Sequence, residues 1–139
     1  MRFFFDRCLP LRLARILQAY DTDNEITHQD DDVRFVCTDE DISILEALSQ
    51  QEPKPVFITA DVNMRHRNPD ERQALRGSGL TCVFMKKGVN NLSFHEQAWK
   101  ILKLWPEIVR HTGSCREPTA FEVGPAARKV QRYRSTKEL

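Results

Sequence analysis

The sequence predicts an α/β sandwich around a mainly parallel sheet, and three observations lead there. Short apolar runs without polar alternation, such as Phe3-Phe4-Phe5 and Val56-Phe57-Ile58, suit strands buried on both faces of a sheet. Between such runs lie segments whose apolar residues recur with a helical period, joined by short connections. The 139 residues make one ordinary domain, large enough to bury a core without staples.

The first strand is Arg2 to Phe5, ending in Asp6. Leu13, Ile16, Leu17 and Tyr20 then repeat at helical spacing, with Arg12 and Arg15 on another face and Pro10 near the start. Residues 21 to 32, rich in Asp, Asn, Glu and Thr, read as a solvated loop, and Val33 to Cys37 as the second strand. Thr38 with Asp41 resembles a capping box opening a helix striped by Ile42, Leu45 and Leu48. Pro53 and Pro55 end it, and Val56 to Thr59 is the third strand, running into Ala60-Asp61. Asn68-Pro69-Asp70-Glu71 starts a short helix that Gly77 and Gly79 close. Leu80 to Met85 is the fourth strand. Ser93 caps a long helix carrying Ala98, Ile101, Leu102, Trp105, Ile108 and Val109, within which Pro106 either kinks the helix or starts a second segment. Thr119 to Val123 is a fifth strand. The expected division is a domain over residues 1–124 and a flexible basic arm over 125–139, with Arg128, Lys129, Arg132, Arg134 and Lys137.

No apolar run approaches the roughly 18 residues of a membrane-spanning helix, so no membrane role is expected. Cys8, Cys37, Cys82 and Cys115 include no C-x-x-C pair, and the four histidines show no zinc-binding spacing. Reduced thiols in a cytoplasmic protein are the expectation. No Gly-rich phosphate loop follows any strand. The formal charge of +1 hides an asymmetry: residues 1 to 61 carry 6 Lys/Arg against 13 Asp/Glu, and residues 62 to 139 carry 15 against 7. An acidic half is joined to a basic one.

In parallel sheets, sites gather beyond the carboxyl ends of the strands. Asp6, the run Asp39-Glu40-Asp41, and Asp61 each stand where a predicted strand ends. Taken singly, each acid reads more readily as a cap or turn residue than as a ligand, and it is their joint occurrence at strand ends that favours a metal site. Converging, they repel one another unless a cation neutralises them, and oxygen ligands without thiolates or paired imidazoles favour Mg²⁺ or Mn²⁺. Such an ion supports phosphodiester hydrolysis. Arg65 and Arg67 past Asp61, and Lys86 and Lys87 past the fourth strand, are the candidate phosphate-binding residues on the same sheet edge. His66 is a candidate proton donor or a plain loop histidine, and Trp99 and Trp105 are read as core or dimer packing rather than base-stacking residues.

These residues carry a resemblance. Phe3-Phe4-Phe5-Asp6-Arg7-Cys8-Leu9-Pro10, followed by the helix Leu11-Arg12-Leu13-Ala14-Arg15-Ile16-Leu17, resembles the opening of PIN-like domains of the VapC-toxin type. Thr38-Asp39-Glu40-Asp41-Ile42 is similar to that group's second acidic motif, and Ile58-Thr59-Ala60-Asp61 to its third; the likeness covers roughly residues 2 to 105. It implies a PIN-like three-layer sandwich with a mainly parallel central sheet of four to five strands. It further implies a divalent-metal site, RNA cleavage and a cognate antitoxin, which makes the chain the toxin of a toxin–antitoxin pair. By the match, Asp6, Asp39 and Asp61 are the catalytic metal ligands, with Glu40 or Asp41 as alternatives in the second motif. Asn63 stands where the third motif usually has a further acid. Its carbonyl oxygen is still a ligand, but with one charge fewer the site is expected to hold Mg²⁺ less tightly.

Two rivals remain at this stage. One is a PIN-like module, catalytically weak or inactive because of Asn63, that binds RNA or a protein partner. The other is a phospho-acceptor receiver domain, which fits less well because Arg7 rather than a second acid follows Asp6.

Overall fold

A computed structural model describes residues 1–35, 40–61, 68–126 and 128–139. The strands are β1 (Arg2–Phe5), β2 (Glu25–His28), β3 (Val56–Thr59), β4 (Cys82–Met85), β5 (Thr119–Val123) and β6 (Gln131–Ser135). They form one sheet of order β2-β1-β3-β4-β5-β6, parallel throughout except for the antiparallel β5–β6 pair. The helices are α1 (Leu11–Tyr20), α2 (Asp41–Ser49), α3 (Pro69–Ser78), the single turn α4 (Lys87–Asn90) and α5 (Phe94–Gly113).

Alternation along the strands produces the layers. Phe3 and Phe5 of β1 turn to one face, where Leu13 and Leu17 of α1 and Ile101, Leu104, Trp105 and Ile108 of α5 cover them. Phe4 turns to the other, onto Phe57, Ile44, Leu45 and Leu48 of α2, and Leu75 of α3. The Phe3 and Trp105 ring centroids lie 4.7 Å apart, and those of Phe4 and Phe57 6.2 Å. Each fully buried aromatic or aliphatic side chain stabilises the fold by about 1.5–3 kcal/mol, so an apolar run of this kind commits β1 to the middle of the sandwich. The expected α/β three-layer architecture is the one observed, with six strands rather than four or five.

Several helix boundaries follow the sequence signals closely. Asn68 caps α3, its side-chain oxygen accepting from the Asp70 and Glu71 N–H groups at 3.1 and 3.2 Å, and Pro69 occupies the first turn. Gly79 closes α3 in the left-handed conformation at φ 71°. Ser93 and Glu96 form a capping box on α5. That helix runs unbroken through the exposed Pro106.

Two expectations are corrected. The second strand is Glu25–His28, while Val33–Phe35 forms a 3-10 turn with Val33 86% exposed; Val36 and Cys37 lie outside the described residues. β2 is an edge strand that buries only Ile26 and His28, so it needs little apolar sequence and reads as loop. The Gln18 side chain sets its entry: its amide donates to the Asp21 and Asn24 carbonyls and its oxygen accepts from the Ile26 N–H. The second correction is the basic arm. Residues 131–135 pair with β5, and the 3-10 turn Thr136–Glu138 delivers Leu139 into the core beside α2 and α3. Thr136 donates from its hydroxyl to the Leu80 carbonyl at 2.8 Å, and the Arg76 guanidinium meets the Leu139 carbonyl. β6 places its charges on an exposed edge strand, which gives a helix-free, basic sequence a defined place in the sheet.

Candidate functional site

The strand order reverses its direction of growth at β1: β2 lies on one side of it and β3 on the other. A crevice opens at the carboxyl ends of the strands at such a point. Asp6 follows β1 there, its backbone N–H donating to the Ile58 carbonyl at 2.9 Å, and Asp61 follows β3. Asp41 is the first residue of α2, and Glu71 lies in the first turn of α3, so two helix N-termini deliver the remaining carboxylates.

Asp41, Asp61 and Glu71 each present an oxygen such that the three atoms lie within 4.8 Å of one another. Burial pushes the Asp41 carboxyl up to about 7, reinforced by the charges of Asp6, Glu71 and Asp61 and by a hydrogen bond to Glu71. Concentrating like charges here is unfavourable unless a proton or a cation compensates, and an all-oxygen donor set suits a hard divalent cation. The residues therefore fit a metal.

Asp6, 5% exposed, backs this cluster. Its Oδ2 accepts from the Thr59 hydroxyl at 2.7 Å and the Cys8 thiol at 3.2 Å. The Cys8 Sγ in turn accepts from the Ala60 N–H at 3.2 Å, and desolvation of the thiol against the protein, with the nearby Asp6 charge, pushes its pKa up to about 12 although the residue reaches the surface. Cys8 is thus a protonated donor to Asp6 and not a reactive thiolate. The cleft is lined by Asp6, Arg7, Cys8, Gln29, Asp41 and Asp61.

The fold brings Asp6 and Asp61 together with Asp41, the alternative in the second motif. Glu40 is the backbone N-cap residue of α2 and is exposed. Asp39, Asn63, Arg65, His66 and Arg67 lie outside the described residues. Lys86 and Lys87 do follow β4 on the same edge, but the Lys86 Nζ lies 3.8 Å from Glu122 on β5, away from the acids, and neither lysine lines the cleft. Trp105 is core, its indole N–H donating to Asp21 at 2.8 Å, while Trp99 is 59% exposed.

Sequence reasoning missed Glu71 and Gln29. Glu71 was legible only as part of a helix start; its meeting with Asp41 depends on α2 and α3 packing side by side on one face. Much of the acidic loop also finds a use: Asp30, Asp31 and Asp32 pair with Arg7, Arg15 and Arg34 at 2.6, 3.0 and 2.7 Å. The three acids lie outside the cleft lining, which Arg7 joins.

A family model described as a PIN-like domain matches residues 1–87, which take in β1 to β4, the three clustered acids and Asp6. The chain belongs to the PIN-like domain family. The matched part of this PIN-like protein stops just past β4, so β5 and β6, which complete the sheet, and α5, which covers one face, lie beyond it. No curated protein and no solved structure matches the chain. Among the described residues, no helix is long and apolar enough to cross a membrane.

Proposed function

We propose that this PIN-like protein is a divalent-metal-dependent ribonuclease that hydrolyses RNA phosphodiester bonds. The observation that carries the reading is the convergence of Asp41, Asp61 and Glu71 within 4.8 Å at the sheet's carboxyl edge, with Asp6 buried behind them. Asp41, Asp61 and Glu71 would hold Mg²⁺ or Mn²⁺, with Asp6 in support, and Asp39 and Asn63 are retained as ligands on the strength of the sequence motifs. The bound ion supplies Lewis-acid polarisation of a phosphoryl oxygen and a lowered pKa for water.

The remaining work falls to the chain. Thr59 and Cys8 hold Asp6 in one orientation through two donated hydrogen bonds, so this carboxylate is fixed before any ligand arrives. Asp41, with its raised pKa, can take up or give up a proton near neutrality as the ligand state changes. Arg65, Arg67, Lys86 and Lys87 are assigned to the RNA phosphates from their sequence positions. The resemblance to VapC-type toxins extends the proposal to a cognate antitoxin as protein partner.

The test is cleavage of a single-stranded RNA by purified protein with Mg²⁺, Mn²⁺ or chelator. Cleavage that depends on the ion and disappears in Asp61→Asn supports the reading. Metal-independent binding of RNA without cleavage would instead favour the inactive RNA-binding module that Asn63 suggests.

A further inference from the structure

The cleft contains a donor that the acidic site leaves unused. Gln29 follows β2 directly and is 2% exposed, yet its side chain lines the cleft beside Asp6, Asp41 and Asp61. Its Oε1 accepts from the Arg7 backbone N–H at 3.1 Å. That contact settles the orientation of the amide, because a backbone N–H can only donate and must face the oxygen. The NH₂ end then points away from Arg7, and it has no hydrogen-bond partner among the described residues. It is also not sealed off, since the sole fully enclosed unpaired side-chain polar atom among them is Oε1 of Gln97.

Two other side-chain donors of the cleft have partners. The Cys8 thiol proton goes to Asp6, and the Arg7 Nε–H goes to Asp30 at 2.6 Å. As a residue Gln29 is almost wholly buried, yet its oriented NH₂ group stays reachable beside the carboxylate cluster with no protein acceptor among the described residues. The chemistry it suits is an anionic oxygen. A carboxylate wall repels such an oxygen, so whatever anion enters needs a cation on one side and a fixed neutral donor on another.

Building on the ribonuclease reading, we propose that the Gln29 carboxamide is a substrate-binding residue that donates a hydrogen bond to a non-bridging phosphodiester oxygen of the RNA strand held in the cleft. The backbone bond to Arg7 and the 3-10 turn Gln29–Asp31 pre-orient it.

The experiment compares the parent protein with Gln29→Glu and Gln29→Met. Gln29→Glu keeps an acceptor for the Arg7 N–H and loses the donor; Gln29→Met keeps the length and loses both. Binding of a single-stranded RNA oligonucleotide in Mn²⁺ is read by fluorescence anisotropy, Mn²⁺ binding alone by calorimetry, and folding by thermal denaturation. The expected result is RNA affinity about ten- to a hundredfold weaker in both variants, with Mn²⁺ affinity not reduced in Gln29→Glu. RNA affinity within twofold of the parent in a folded Gln29→Glu would overturn this assignment while leaving the ribonuclease reading intact. Absence of RNA binding by the parent would overturn both.

Discussion

The Thr59 hydroxyl donates to the Asp6 carboxylate across 2.7 Å and accepts from the Asp61 backbone N–H at 3.0 Å, so one side chain ties together the ends of β1 and β3. Thr59 is fully buried. Replacing it with the isosteric Val leaves the Asp6 carboxylate one donor short, which is expected to cost about 1.5–3 kcal/mol in urea denaturation. Thr59→Ser, which keeps the hydroxyl, should recover most of that loss.

Asp41 sets a pH dependence for the metal-free protein. Its folded pKa of about 7 exceeds the unfolded value of 3.8, so the native state holds an extra proton between them. Its contribution to stability is complete below pH 3.8 and is lost as pH rises through about 7. In chelator, unfolding midpoints measured from pH 5 to 8 should therefore fall more steeply for the parent than for Asp41→Asn. Parallel profiles would show that Asp41 titrates at an ordinary carboxylate pKa.

Removing one of the crowded charges should have opposite effects with and without ion. Asp61→Asn and Glu71→Gln each relieve repulsion on Asp41, and both are expected to raise the melting temperature in chelator. Both should also bind Mn²⁺ at least about tenfold more weakly, so the stabilisation that Mn²⁺ gives the parent shrinks. Calorimetric titration alongside thermal melts measures both quantities.

The last strand should behave as part of the domain. Leu139, 6% exposed, joins the core cluster of Phe4, Leu45 and Leu75. Leu139→Ala is expected to cost about 2–5 kcal/mol, read by denaturant titration. A chain ending at Gly124 loses β6 and leaves the β5 edge open, and it should aggregate on concentration where the full chain does not.

The central elements were legible because their burial is two-sided: a strand such as Phe3-Phe4-Phe5 must be apolar everywhere, and that constraint is written into consecutive residues. Caps were legible for a related reason, since Asn68 and Ser93 act within three residues of themselves. Elements at the margins were not. β2 buries two side chains, and β6 is polar and charged along most of its length, so neither leaves a local pattern that separates strand from loop.

The sequence by itself determined the layered α/β class, the order of most helices and strands, and the placing of Asp6 and Asp61 at strand ends. Those properties depend on periodicity and on turn chemistry over a few residues. Only the tertiary structure decided that Glu71 meets Asp41 and Asp61, that the acids of the loop at Asp30 to Asp32 pair with Arg7, Arg15 and Arg34, and that Gln29 lines the cleft with its Oε1 held by the Arg7 N–H. Each of these joins residues far apart in the chain. They come together because the sheet order and the packing of helices on its two faces place them side by side, and spacing along the chain does not report that.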